Sequence, residues 1–210
     1  MGFLDSDDLM EPEHLQTAND FITEMKEPEV VHFNFLWGPE DRSKTNKNVL
    51  PASLPNDLFK RCSLHVNCIF IKNSVAKSNL FNESRQLMFV EDWDFFIKLS
   101  IRYPIHLRDV LTTYLVDHDD RNMRKFDLEK WIAKRDAITK SLQEDKVMML
   151  KYPDKIALIS AHMNSLLALN LAIDKSRRKS LHHFYLAIKD NYMELFSKRT
   201  LAIIKHLILK

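Results

Sequence analysis

Apolar and polar residues over positions 1–124 follow patterns that predict strands and helices in turn. Residues 29–37 (EVVHFNFLW) place every second side chain from position 31 onward, each a valine or an aromatic, on one side, which is typical of a strand. The same reasoning predicts further strands over residues 66–71, 105–108 and 112–116, and helices over residues 9–25 and 93–102. A polar segment with prolines, residues 39–57, indicates a loop.

From residue 125 onward the pattern is helical throughout. Residues 128–142 repeat apolar positions at helical spacing, and residues 181–209 form a basic amphipathic stretch. Residues 156–173 contain no charged side chain, a length near the minimum for crossing a bilayer. Five polar residues interrupt that run, so we expect a helix buried between its neighbours rather than a membrane span: Ser160, His162, Asn164, Ser165 and Asn170.

Composition excludes several classes of protein. The chain has 210 residues, of which 45% are hydrophobic and 29% charged, as in ordinary globular proteins. Gly2 and Gly38 are the only glycines, so neither a GxGxxG dinucleotide loop nor a Walker phosphate loop can be present. Cys62 and Cys68 supply neither a zinc site nor a disulfide framework, which favours a cytoplasmic location. The formal net charge of +2 argues against general nucleic-acid binding.

Charge is nevertheless distributed unevenly along the chain. Residues 1–30 contain nine acidic side chains and one basic one, whereas residues 175–210 contain nine basic side chains and two acidic ones. An acidic region suits a cation, and a basic region suits phosphate or an anionic surface.

The first candidate for chemistry is the segment FLDSDD at residues 3–8. Asp5, Asp7 and Asp8 crowd three carboxylates into four positions, an arrangement that a hard divalent cation such as Mg²⁺ or Mn²⁺ would stabilise. The alternative is an acidic helix start, because aspartate and serine are good N-caps and acids favour the positive end of the helix dipole.

Two further candidates follow. Glu91 and Asp92 open an aromatic-rich helix, where apolar surroundings can raise the proton affinity of a carboxylate and make it a general base; helix capping is the alternative. His118 follows a predicted strand and is flanked by acids, so it could ligate a metal or belong to a solvated turn.

In their order and spacing these segments resemble the family 2 glycosyltransferases of the GT-A fold. In that family a strand ends in an LDxDD-type acidic motif followed by a proline and a leucine, and FLDSDDLMEPEHL resembles this. Residues 67–83 resemble its next motif, a strand followed by Phe-x-Glu, and Glu91-Asp92 resembles the Glu-Asp that opens its aromatic-rich helix. A strand ending in a histidine, here His118, completes a resemblance over residues 3–122.

The resemblance implies an α/β fold class. It implies a partial GT-A type, Rossmann-like sheet with flanking helices over residues 1–124, followed by an all-helical C-terminal extension over residues 125–210. The implied activity is transfer of a sugar, with inversion, from a nucleotide-diphosphate sugar donor to a hydroxyl of a glycan or lipid-linked acceptor, in surface glycan synthesis.

Roles for the acidic residues also follow from the resemblance. Asp5 and Asp7 match the pair that contacts the nucleotide, and the metal ligands implied for Mn²⁺ or Mg²⁺ are Asp7, Asp8 and His118. Asp92 matches the catalytic base, and Glu91 is its neighbour on the acceptor side.

The chain begins at the acidic motif, whereas the family has a nucleotide-binding half before it. We therefore expect the sheet to expose an unpaired edge, and self-association or a partner chain that completes it. The alternative function is that of a non-catalytic remnant, acting as an interaction or peripheral-membrane module.

The basic C-terminal stretch leaves two interpretations open. A basic amphipathic helix can lie on an anionic membrane surface, which would put the protein at the inner face of the cell membrane. It can equally pack on the rest of the protein with its basic side chains solvated. We expect packing for residues 181–196 and membrane contact for residues 200–210.

Overall fold

The chain forms two units in a computed structural model that describes residues 1–117 and 126–208. Unit 1 comprises Met1–Leu58, Cys62–Asn82 and Glu91–Arg124. Unit 2 comprises Phe59–Arg61, Glu83–Val90 and Lys125–Lys210, so two short segments from the first half of the chain belong to the helical unit.

Unit 1 is built around one mixed, open sheet. Its strands are β1 (Leu9–Met10), β2 (Val30–Gly38), β3 (Asn46–Lys47), β4 (Ile69–Ile71) and β5 (Ile105–Val116), and its helices are α1 (His14–Glu24), α2 (Asn73–Ser78) and α3 (Glu91–Ser100). The strand order is β1-β5-β2-β3, with β4 also paired to β2. Only β2 and β5 run parallel, and the other pairs are antiparallel.

Strand β2 is the centre of this sheet. It has β5 on one side and both β3 and β4 on the other, and its residues from Val30 to Phe35 are all buried. Both faces of the strand are buried: Val31, Phe33 and Phe35 share one face, while the other carries Val30 and two polar residues, His32 and Asn34, whose side chains are hydrogen-bonded. The strand predicted over residues 29–37 is therefore confirmed.

The parallel pairing of β2 with β5 is irregular around Asn34. Register shifts flank this residue, and its buried amide binds locally: Oδ1 accepts the Phe35 N–H at 2.9 Å, and Nδ2 donates to Oδ1 of Asp109 at 2.7 Å. The two strands predicted over residues 105–108 and 112–116 are one continuous strand, because the irregular stretch between them still pairs with β2.

Other local predictions need correction. The helix expected over residues 9–25 starts only at His14, because Leu9 and Met10 pair with β5 instead. The strand expected over residues 66–71 begins with a 3₁₀ turn, and β4 occupies its second half. Asn46–Lys47 form a short strand inside the predicted loop.

Unit 2 is helical. It contains α4 (Leu128–Gln143), α5 (Lys146–Lys151), α6 (Ile156–Ile173), α7 (Arg177–Asp190) and α8 (Lys198–Ile208). Helix α6, predicted from its uncharged run, packs against α4, α7 and α8 and buries residues on most of its circumference. Among the described residues one helical span, Pro153–Ile173, is long and apolar enough to cross a membrane, and just over half of it is buried inside the protein.

The continuous amphipathic pattern of residues 181–209 predicted one helix, and this prediction is wrong, because the helix is interrupted. Helix α7 ends before Asn191, whose side chain accepts a hydrogen bond from the Met193 N–H at 3.2 Å. A 3₁₀ segment, Tyr192–Phe196, then leads into α8. Asparagine favours this break because its side chain satisfies a backbone donor outside the helix. The α/β fold class with a helical C-terminal part is confirmed.

Candidate functional site

The N-terminal acidic segment is held beside β4. Gly2 forms an isolated antiparallel bridge with Phe70, and the Met1 carbonyl accepts the Ile71 N–H at 2.8 Å. Because the two segments run antiparallel, the residues after Gly2 pass beside those before Phe70. This arrangement brings the carboxylates of residues 5–8 next to Asn67.

Asn67 connects two of these aspartates. Its side chain is 1% exposed, its Oδ1 accepts the backbone N–H of Asp5 at 3.0 Å, and its Nδ2 donates to Oδ2 of Asp8 at 2.7 Å. Using both ends of one rigid amide fixes the spacing of the two acidic residues. Asn67 is therefore the positioning residue of this segment.

Asp8 is tied to the end of β5. Its carboxylate is buried, and Oδ1 accepts the backbone N–H of Val116, the last residue of β5, at 2.9 Å. Both oxygens of the Asp8 carboxylate therefore accept a hydrogen bond, one from Asn67 and one from Val116. The segment is thereby held at the carboxyl end of a parallel strand, the edge where α/β sheets bind ligands.

His65 joins the two aspartates. One ligand atom from each of Asp5, Asp8 and His65 lies within 4.8 Å of the other two. The backbone N–H of Asn67 donates to Nδ1 of His65 over a long 3.4 Å, and the backbone N–H of His65 donates to Nε2 of His32 at 3.1 Å. A neutral imidazole has one lone pair, so a cation bound to His65 would take the place of the long bond from Asn67. Burial lowers the pKa of His32 to about 3. The hydrogen bond from the His65 backbone opposes this shift, and the charge of His65 adds to it. The His32 ring is therefore neutral and accepts the bond.

Two carboxylates and one imidazole are a suitable donor set for a divalent ion. Ligand atoms bound at about 2.0–2.2 Å stand about 3–4 Å apart around such an ion, so the observed spacing needs only a small contraction. Carboxylates suit Mg²⁺ and Mn²⁺, and an imidazole shifts the preference towards Mn²⁺ and later metals. Asp5 is exposed, so a ligand can reach the group of Asp5, Asp8 and His65 from the side on which Asp5 lies.

The second acidic segment forms the start of α3. The helix begins at Glu91, and its start is anchored by Trp93, whose indole N–H donates to the Leu58 carbonyl at 2.6 Å. Burial, followed by the charges of Glu91 and Asp5, raises the pKa of Asp92 to about 7. Asp5 is 87 positions away in the chain, so its contribution to this pKa is consistent with the two acidic segments being neighbours within unit 1.

Aromatic rings connect the same two segments. Phe81 stacks on Phe95 of α3 with ring centroids 4.1 Å apart, and Phe3 meets Phe81 edge to face at 5.7 Å. Phe3 lies two residues before Asp5, and Phe95 lies three residues after Asp92. The three rings therefore join the two acidic segments through direct side-chain contacts.

Two neighbours complete the surroundings of Asp92. Oε2 of Glu91 is buried without a hydrogen-bond partner among the described residues. Cys62 is an exposed residue whose Sγ nevertheless donates to the Leu64 carbonyl at 3.6 Å, whereas Cys68 is buried. Desolvation of the thiol and then the charge of Asp92 raise the pKa of Cys62 to about 12, so this cysteine is a thiol and not a thiolate nucleophile at neutral pH.

The sequence-based site residues are found in different surroundings. Asp5 and Asp8 belong to one group, whereas Asp7 is exposed and is not part of it. His118 lies outside the described residues. His65 was not predicted as a site residue. It directly precedes the strand predicted over residues 66–71, and a histidine at the end of a predicted strand is the signal that could have found it.

Comparison with models of known protein families finds no match to this chain, and comparison with curated proteins finds none either.

Proposed function

We propose that unit 1 is the metal- and acceptor-binding part of an inverting glycosyltransferase of the GT-A type. The observation that carries the proposal is the joining of two acidic segments: the rings of Phe3, Phe81 and Phe95 connect the segment that holds Asp5 and Asp8, grouped with His65, to the helix that begins with Glu91 and Asp92. A cation centre and a proton acceptor side by side are what sugar transfer from a nucleotide-diphosphate donor requires.

In this proposal Asp5, Asp8 and His65 would hold Mn²⁺ or Mg²⁺. A divalent ion neutralises the charge that grows on a diphosphate leaving group. Asp7, exposed beside the group, would face the nucleotide. His65 takes the part that the resemblance gives to His118.

Asp92 would accept the proton of the acceptor hydroxyl as that oxygen attacks the anomeric carbon from the face opposite the leaving group. A pKa of about 7 suits this task, because the carboxylate is charged above neutral pH and still basic enough to take a proton. The buried oxygen of Glu91 would accept a second hydrogen bond on the acceptor side.

One feature favours the alternative of a non-catalytic interaction module. Both oxygens of Asp8 already accept hydrogen bonds, from Val116 and Asn67, so this carboxylate has a complete structural role without a cation.

Calorimetric titration of the full chain distinguishes the two functions. We expect Mn²⁺ to bind the parent chain, and a nucleoside diphosphate such as UDP or GDP to bind more tightly when Mn²⁺ is present. Asp5→Asn and His65→Ala should each weaken Mn²⁺ binding by about tenfold or more, since each removes one of three ligands. Asp154→Asn, an exposed aspartate of unit 2, is the matched control.

Asp92→Asn should keep Mn²⁺ binding and lose sugar transfer, measured as release of nucleoside diphosphate from a panel of nucleotide sugars. Absence of Mn²⁺ binding to the parent chain, or equal binding by Asp5→Asn, contradicts the proposed enzyme and favours the interaction module.

A further inference from the structure

Unit 2 exposes several large apolar side chains that lie close together in sequence near its C-terminal end, and we call them the C-terminal apolar surface. Its members, all from residues 192–208, are Tyr192, Met193, Leu195, Phe196, Leu201, Ile204 and Ile208. The first four lie in the range 181–196 that was expected to pack on the protein, and their exposure corrects that expectation. Phe196 is 76% exposed, and Leu201 and Ile208 are 70% exposed each. Single exposed apolar residues are ordinary, whereas seven large ones within residues 192–208, three of them at helical spacing on one face of α8, indicate a surface that binds something.

Helix α8 has two apolar faces, and only one of them is used inside unit 2. Ile203 is buried against Ala168 and Ala172 of α6, with Leu207 packed beside them. The other apolar residues of α8 follow the spacing i, i+3, i+7 and form a second stripe: Leu201, Ile204 and Ile208. A helix that only packed on its own unit would need one stripe.

The surface is preformed because its backbone is tied to the unit. Thr200 is buried, and its hydroxyl donates to the Glu194 carbonyl at 2.5 Å. Arg199 donates to the Ser165 hydroxyl and to the His162 carbonyl on α6. These contacts fix the 3₁₀ segment and the first turn of α8, so exposing the apolar side chains is a property of the folded unit.

The fully exposed charged side chains of residues 189–208 are all positive. In residues 189–208 the exposed charged side chains are Lys189, Lys198 and Lys205, while Asp190 and Glu194 are only partly exposed. Lys205 follows Leu201 by four positions, and Lys198 precedes it by three, so both lysines border the second stripe of α8. Apolar and aromatic residues bordered by lysines are the pattern of a helix that lies in a membrane interface.

We propose that the C-terminal apolar surface docks on an anionic lipid bilayer. The apolar stripe enters the boundary between headgroups and acyl chains, and the bordering lysines contact the anionic headgroups. A second copy of this chain is a poorer occupant, because pairing the surface with itself would oppose lysines to lysines. The inference rests on unit 2 alone and does not depend on the proposed sugar transfer.

Co-sedimentation of the full chain with vesicles tests the inference. The vesicles contain phosphatidylcholine alone, or phosphatidylcholine with about 30 mol% phosphatidylserine. We expect binding to the anionic vesicles that weakens as salt is added. Lys198→Gln with Lys205→Gln should weaken binding about fivefold for each lysine removed, and Leu201→Ser with Ile208→Ser should weaken it at least about tenfold.

Leu150→Ser is the matched control, since it removes an equally exposed leucine of the same unit outside residues 192–208 and should leave binding unchanged. Circular dichroism checks that every variant is folded. If the Leu201→Ser, Ile208→Ser variant binds the anionic vesicles as strongly as the parent chain, another segment such as α6 attaches to the bilayer. That result overturns the inference. Absence of vesicle binding, with or without a dimer that these substitutions dissociate, overturns it as well.

Discussion

The side-chain amide of Asn67 donates a hydrogen bond to the buried carboxylate of Asp8 over 2.7 Å. These residues are 59 positions apart in the chain, so the bond joins the acidic N-terminal segment to the residues that precede β4. The other end of the same amide accepts the N–H of Asp5. The geometry of the candidate metal group therefore depends on one neutral side chain.

Replacing Asn67 should disrupt both stability and metal binding. Asn67→Ala removes a partner of the buried Asp8 carboxylate, and we expect a loss of about 1–3 kcal/mol in the free energy of unfolding, measured by urea denaturation. Asn67→Asp adds a negative charge beside Asp8 and should also lower the free energy of unfolding. This loss should be smaller when Mn²⁺ is present, because the cation offsets the added charge. If Asn67→Ala unfolds at the same urea concentration as the parent, the amide does not have this role.

The raised pKa of Asp92 predicts how stability changes with pH. Its pKa is 3.8 ordinarily and about 7 in the folded chain, so between these values the folded state holds a proton that the unfolded chain has released. The whole stabilising contribution of the Asp92 carboxyl to the folded state is therefore present below pH 3.8, and it is lost as the pH rises towards 7. The contribution amounts to at most about 4 kcal/mol.

Asp92→Asn should remove that part of the pH dependence. We expect the variant to match the parent more closely at pH 4 and to be more stable at pH 8, with unfolding free energies measured by urea titration at each pH. The matched control is Asp154→Asn. Identical pH profiles for Asp92→Asn and the parent would show that Asp92 is not the titrating group.

A cation bound beside Asp5 should change the protonation of Asp92. Its positive charge offsets the carboxylate charge that helps to raise the pKa of Asp92, so saturating Mg²⁺ should lower that pKa. Mg²⁺ is used because it is diamagnetic, and the measurement is an NMR titration of the aspartate carboxyl carbons, with Asp92→Asn identifying the signal. In Asp5→Asn the Mg²⁺ effect should disappear, and an effect of the same size there would contradict the arrangement.

The aromatic link predicts a distinct effect at Phe81. Phe81→Ala removes the ring between Phe3 and Phe95 and should cost about 2 kcal/mol in unfolding free energy, since the ring is only half-buried. Phe81→Tyr keeps the ring contacts and should lose much less. Because Phe81→Ala loosens the two acidic segments, it should also reduce the influence of Asp5 on Asp92, which the same NMR titration would detect.

Gly38 is required at the end of β2 by lack of space. A Cβ atom there would overlap the Lys44 carbonyl oxygen and would lie 2.7 Å from the hydroxyl of Tyr114, which donates to the Pro39 carbonyl. Gly38→Ala should therefore destabilise unit 1 by about 1–3 kcal/mol through displacement of backbone. Gly2→Ala is a fitting comparison, because its Cβ would approach the Phe70 ring to 3.2 Å and would lie at an ordinary contact distance of 3.7 Å from the Ile69 carbonyl oxygen. Thermal unfolding of both variants measures the difference.

Sequence alone determined the elements whose side chains repeat with a regular period. The valines and aromatics of residues 29–37 indicated the central strand, and the uncharged residues 156–173 indicated the buried helix α6. Local spacing carries this information because strands and helices present one face every two or every 3.6 residues. The sequence also indicated the carboxylates of both acidic segments, because within each segment they are neighbours in sequence.

Tertiary structure alone decided which of those side chains meet. The Asp8 carboxylate binds the N–H of Val116, 108 residues away, and His65 reaches the same group through the antiparallel passage beside β4. No local period reports such pairings, because they depend on the order and register of strands in the sheet. The second apolar stripe of α8 was likewise invisible in sequence, since only the packing of Ile203 on α6 shows which apolar face stays outside.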